Sequence, residues 1–146
     1  NRGDGTFEKE LALAGSFFAE RAVGRGLASA DFDQDGDVDL AVMTRDRSLV
    51  LLRNENIRGH RSVTVKLVER RGTGSPFGAR IEALVGGKTR AFEHSSSRSY
   101  LSSCEPTVVI GLGAGSTIDR LTVYWPSGRT TELRGVKAGT VEVREP

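Results

Sequence analysis

From Ser62 to the C-terminal end, short segments with an apolar or β-branched residue at nearly every second position follow one another, cut apart by glycine- and serine-rich turns. They read "SVTVKLV" (62–68), "ARIEALV" (79–85), "KTRAFEH" (88–94), "TVVIGL" (107–112), "IDRLTVYW" (118–125), "RTTELR" (129–134) and "TVEVRE" (140–145). A two-residue period belongs to strands with one face buried, and helical periodicity is absent throughout. Gly86 with Gly87, the Ser95–Ser97 run, "GAGS", "PSG" and "KAG" separate the segments, each a cluster of residues that favours turns. Eighteen glycines against four prolines fit many tight turns between short strands. The chain is therefore expected to be all-β, and this part of it a small β-sandwich or barrel with its own core.

The N-terminal part carries a different signal, "DFDQDGDVDL" over residues 31–40. Asp31, Asp33, Asp35, Asp37 and Asp39 fall on positions 1, 3, 5, 7 and 9 of a loop, with Gly36 at position 6. Carboxylates this dense repel one another unless a cation neutralises them, and a hard cation taking six to eight oxygens is the usual solution. Calcium is the cofactor expected, with these five aspartates as its candidate ligands. Position 7 commonly donates its backbone carbonyl, so the Asp37 carboxylate need not enter the cage. An EF-hand is excluded, because its position 12 requires a bidentate glutamate before a helix. Here position 12 is Val42, inside the apolar run "LAVMT", which reads as a buried strand. The alternatives are a solvated acidic turn and a catalytic carboxylate pair.

Two family resemblances follow from these motifs. "LASADFDQDGDVDLAVMTRDRSLVLLRN" resembles the FG-GAP or VCBS type of calcium-binding β-propeller repeat found in integrin α chains and secreted bacterial proteins, and "NRGDGTF" resembles the segment joining one such repeat to the next. Asn1 and Asn54 then occupy equivalent points, a repeat of 53 residues (54 minus 1). A propeller blade cannot bury its own faces, so this resemblance implies that further blades, or a partner, complete the N-terminal part. Arg2, Gly3 and Asp4 form an adhesion-type tripeptide, but the repeat already accounts for Gly3 and Asp4 as turn chemistry.

The second resemblance covers the strand-rich part. "SVTVKLV", "FGARIEALVGGKTRAFE", "SYLSS", "VIGLG", "IDRLTVYWPSGRTTEL" and "VEVRE" are similar, in order, to the ASPIC/UnbV domain, which characteristically follows FG-GAP repeats at the C-terminal end of secreted proteins. "HSSSRS" replaces the glycine-rich turn usual before "YLS", and the loop "GTGSPFG" lacks the usual asparagine. The two resemblances imply partial propeller blade(s) over residues 1–57 and a β-sandwich domain over residues 58–146.

Several chemistries are weak or missing. A net charge of +2, from 21 basic and 19 acidic residues, is a mixed surface. The basic run "RGHRSVTVKLVERR" alternates with Val63, Val65 and Leu67 as a half-buried strand does, and has no aromatic platform for bases beside it. Nucleic acid is not expected as a partner. No segment approaches the roughly 20 apolar residues of a membrane span, so membrane insertion is not expected either. Cys104 is the only cysteine, which rules out an intrachain disulfide and a cysteine-based zinc cage, and its default role is a small buried hydrophobe. "GLGAGS" fails as a dinucleotide loop because Ser116 stands where the third glycine belongs; its glycines are expected in a turn. "WPSGR" reads as a hairpin anchored by a packed Trp125, with a ligand platform as the alternative.

The expected function is a non-catalytic, secreted calcium-binding module for adhesion, protein recognition or surface assembly. Its location would be extracellular, at the cell surface or periplasmic, with a protein partner or self-assembly supplying the missing blades. The alternative is an enzyme or accessory factor in secondary metabolism, since UnbV-type relatives occur in enediyne biosynthetic clusters. Its chemistry would have to come from His60, Glu93, His94, Tyr100 and Cys104, none of them at a spacing that specifies a mechanism.

Overall fold

The structure is a computed structural model that describes residues 5–8, 15–46, 48–55, 59–71 and 75–146. Asn1–Asp4, and with them the adhesion-type tripeptide, lie outside the described residues. Among the described residues a 3-10 turn over Ser16–Ala19 is followed by ten strands: β1 (Gly24–Ala30), β2 (Asp39–Thr44), β3 (Val50–Leu52), β4 (Arg61–Val68), β5 (Arg80–Val85), β6 (Lys88–Glu93), β7 (Thr107–Gly113), β8 (Thr117–Tyr124), β9 (Thr130–Lys137) and β10 (Gly139–Arg144). The protein is all-β, as the alternation requires. Among the described residues no helix is long and apolar enough to cross a membrane.

The strands form three sheets, ordered β1-β2-β3, β10-β4-β7 and β6-β5-β8-β9. The second and third share one core. Val63, Val65 and Leu67 of β4, with Val108, Ile110 and Leu112 of β7, face Ile81, Ala83 and Val85 of β5 and Leu121 and Val123 of β8 in a single buried apolar cluster. The two-residue period explains this directly, since the alternate residues of β4 and β5 are the buried ones. Both sheets thus present one apolar face to the other, which is a β-sandwich.

Turn chemistry sets the hairpins. Gly86 and Gly87, both at positive φ (55° and 76°), join β5 to β6 in the two-residue loop that matches strand twist. In "WPSGR" the Gly128 amide donates to the Trp125 carbonyl and the Trp125 amide to the Arg129 carbonyl, each at 2.9 Å. Trp125 itself is buried, and its indole Nε1–H donates to Thr131 Oγ1 at 2.8 Å. Packing, not ligand stacking, accounts for it.

One local expectation is corrected. Gly111 and Gly113 belong to β7 rather than to a turn, and β4 skips register opposite them, between Arg61 and Ser62. The pairing of β10 alongside β4 is parallel, a long-range arrangement that no local pattern encodes.

The sheet β1-β2-β3 is built differently. Leu27, Val42 and Val50 share one face by register, while Ala28, Ala41 and Leu51 share the other. Both faces are apolar, yet its only buried residues are Asp39 and Thr44, and Leu51 is 63 % exposed. A sheet without a polar face suits the interior of a layered stack.

Candidate metal centre

Antiparallel pairing of Ala30 with Asp39 closes residues 31–38 into a loop between β1 and β2. Gln34 (φ 61°) and Gly36 (φ 96°) take left-handed conformations that turn the chain back on itself. The loop is then tied by its own aspartates. Asp31 accepts the amide of Asp35 on Oδ1 and that of Gly36 on Oδ2, each at 3.1 Å, and Asp35 Oδ1 accepts the amide of Asp37 at 2.9 Å. Asp39, only 2 % exposed, accepts the amide of Phe32 at 3.0 Å and that of Asn54 at 2.7 Å. Buried carboxylates need such donors, because an ion without partners in a low-dielectric site is costly.

This folding brings one carboxylate oxygen each from Asp31, Asp33 and Asp39 within 4.8 Å of one another. Two oxygens on opposite sides of a calcium ion, each at about 2.4 Å, lie about 4.8 Å apart, so the grouping fits one such ion. The donor set is all oxygen, the chemistry of a hard cation rather than of zinc or copper. Asp35 and Asp37 stand outside this group. Val42, which would be the twelfth position of an EF-hand, lies within β2.

Two groups bear on the site that spacing alone does not reveal. Arg53 places Nη1 3.4 Å from Asp33 Oδ2. Its guanidinium is held charged above the ordinary arginine range, first by the hydrogen bond and charge of Glu55, then by Asp33 and Asp35. Glu105, which precedes β7, accepts the amide of Asp31 on Oε2 at 3.2 Å. A cleft of about 500 Å³ runs between the loop and the sandwich, bordered by Asp31, Asp35, Lys66, Glu105 and Thr140. Both contacts join residues far apart in sequence, so neither had a local signal.

The residues considered for catalysis differ in their surroundings. His94 is fully buried, with Nε2 2.6 Å from Ser75 Oγ and its ring stacked on Phe77. Glu93 borders a shallow cleft with Gly78 and Arg80, whereas His60 borders another beside Asp35 and Asp37. Tyr100 is 73 % exposed, and Cys104 is a free, buried thiol, as its default role predicts.

No curated protein matches the chain. A family model described as ASPIC and UnbV matches residues 70–146, which include β5 to β10. Since that match takes in more than half of the 146 residues and the two-sheet core lies largely within it, the chain belongs to the ASPIC and UnbV family.

Proposed function

We propose that the chain is a non-catalytic, secreted calcium-binding module, with residues 1–57 forming the end of an FG-GAP/VCBS-type propeller and residues 58–146 an ASPIC/UnbV-type sandwich. The observation that carries this reading is the grouping of Asp31, Asp33 and Asp39 at the turn between β1 and β2. Calcium bound there would neutralise three carboxylates and fix the start of β2 against the end of β1. Its role is structural, a staple for a sheet that has little core of its own.

The sheet's composition supports a partner. Leu27 on one face of the sheet, Met43 and Leu51 on the other, and Leu49 just before β3 are 40–63 % exposed, and β-layers from neighbouring blades or another protein, one against each face, would bury them. Adhesion, recognition and surface assembly all use such a surface. The absence of an enzymatic role is supported by the sealed position of His94 and the separate clefts of Glu93 and His60.

Urea unfolding followed with and without calcium tests the proposal. Calcium at about 100 times its dissociation constant should stabilise the folded state by about 2.7 kcal/mol. Identical unfolding curves in chelator and in 10 mM calcium would refute the staple.

A further inference from the structure

We propose that residues Ser99–Glu105 act as a clasp through which the ASPIC/UnbV sandwich sets the conformation of the aspartate loop. The clasp covers the outer edge of β1. The Leu27 amide donates to Ser102 Oγ at 3.2 Å, and that hydroxyl donates in turn to the Tyr100 carbonyl at 3.0 Å. Two residues along, the Glu105 amide donates to the Ser29 carbonyl at 2.9 Å. Edge groups of β1 that would otherwise face water or a foreign strand are thereby taken up within the chain.

The contact is close enough to bear on the sequence of β1. A Cβ built on Gly26 would stand 2.9 Å from Ser102 Oγ, nearer than side-chain atoms normally come. Gly26 is not at positive φ, so close approach rather than backbone conformation disfavours a larger residue there, whose Cβ would have to displace the Ser102 hydroxyl. On the other side the clasp is tied to the sandwich: the Thr107 amide donates to the Glu105 carbonyl at 2.8 Å, Arg98 donates to the Thr107 carbonyl at 2.8 Å, and Lys66 of β4 lies 4.0 Å from Glu105.

From the clasp, order passes into the loop through one residue. Glu105 fixes the amide of Asp31, and the Asp31 carboxylate collects the amides of Asp35 and Gly36. Moving Glu105 therefore moves the residue that folds the loop back. Ser102 and Glu105 are positioning residues for the aspartate group, supplied by a part of the chain some 75 residues away in sequence. This inference concerns the order of the loop and holds whether or not the loop takes calcium, so the two readings fail separately.

Amide hydrogen exchange on the whole chain in chelator tests it, comparing Gly26→Val, Ser102→Ala and Ser102→Thr with the native protein. Neither site carries charge, so local electrostatics are unchanged. Gly26→Val and Ser102→Ala should speed exchange at the Asp35 and Gly36 amides by about fivefold or more, the lower end of ordinary coupling between sites. Exchange in β4 and β7 should stay slow, and Ser102→Thr, which keeps the hydroxyl, should behave as native. Native exchange at Asp35 and Gly36 in Ser102→Ala, or equal loosening of β4 and β7, would overturn the clasp. Should Gly26→Val not fold, the serine pair alone decides.

Discussion

The carboxylate of Asp39, at the start of β2, accepts the amide of Asn54 just beyond β3 at 2.7 Å and, on its other oxygen, the amide of Phe32 at 3.0 Å. One buried side chain thus closes the aspartate loop and the end of the three-stranded sheet together. Asp39→Ala would leave two N–H groups without their acceptor, at about 1–3 kcal/mol each. Urea unfolding should show a loss of at least about 2 kcal/mol even in chelator. A loss seen only in calcium would make Asp39 a ligand without this structural duty.

Arg53 competes for the same aspartates. Its guanidinium lies 3.4 Å from Asp33 on an exposed part of the surface, where salt screens the attraction. Arg53→Gln should tighten calcium binding about twofold at low ionic strength and by less at 0.5 M salt. Weaker binding in the variant would show that Arg53 organises the site instead.

His94 makes stability depend on pH. Burial, and secondarily the charge of Arg98, lowers its pKa below the ordinary value of 6.5, and its Nδ1 is buried without a hydrogen-bond partner among the described residues. The unfolded chain therefore binds the proton more readily than the folded one. Stability should be flat above pH 6.5 and fall below it, with a slope approaching about 1.4 kcal/mol per pH unit. His94→Gln should abolish that part of the slope. Parallel pH profiles for the two proteins would contradict the assignment.

Trp125 anchors the hairpin between β8 and β9 in the shared core. Trp125→Ala should cost about 3–5 kcal/mol, whereas Trp125→Phe should retain most of the packing and lose about 1 kcal/mol with the bond to Thr131. Thermal melting measures both. A mild effect of the alanine substitution would reopen a ligand-binding role for the indole.

Legibility in the sequence followed the range of the interactions. β4 to β10 are readable to within a few residues, because β4 and β5 alternate closely and glycine- or serine-containing turns separate most of the strands. Of the "GLGAGS" glycines only Gly115 lies in the turn, since Gly111 and Gly113 are tolerated within β7 where β4 skips register. β1, "GRGLASA", has too few β-branched or large residues to read as a strand by pattern, and the small size of Gly26 makes sense only beside Ser102 of the clasp. Of the five spaced aspartates, spacing could propose the loop but not which carboxylates turn inward. That choice depends on Gln34 and Gly36 at positive φ and on the amides of Phe32 and Asn54. Glu105 could not be foreseen, because its contact with Asp31 spans the two halves of the chain.

The most direct measurement is calcium titration by calorimetry of the native chain and of Asp33→Ala. Asp33 is the suitable position because no backbone amide among the described hydrogen bonds depends on its carboxylate, so the loop should keep its shape while losing a ligand. One site is expected in the native chain, with a dissociation constant of about 10⁻⁴ to 10⁻³ M, the range of calcium sites in extracellular modules, and at least about tenfold weaker binding in the variant. Equal binding by the two proteins, or none by the native chain, would contradict it.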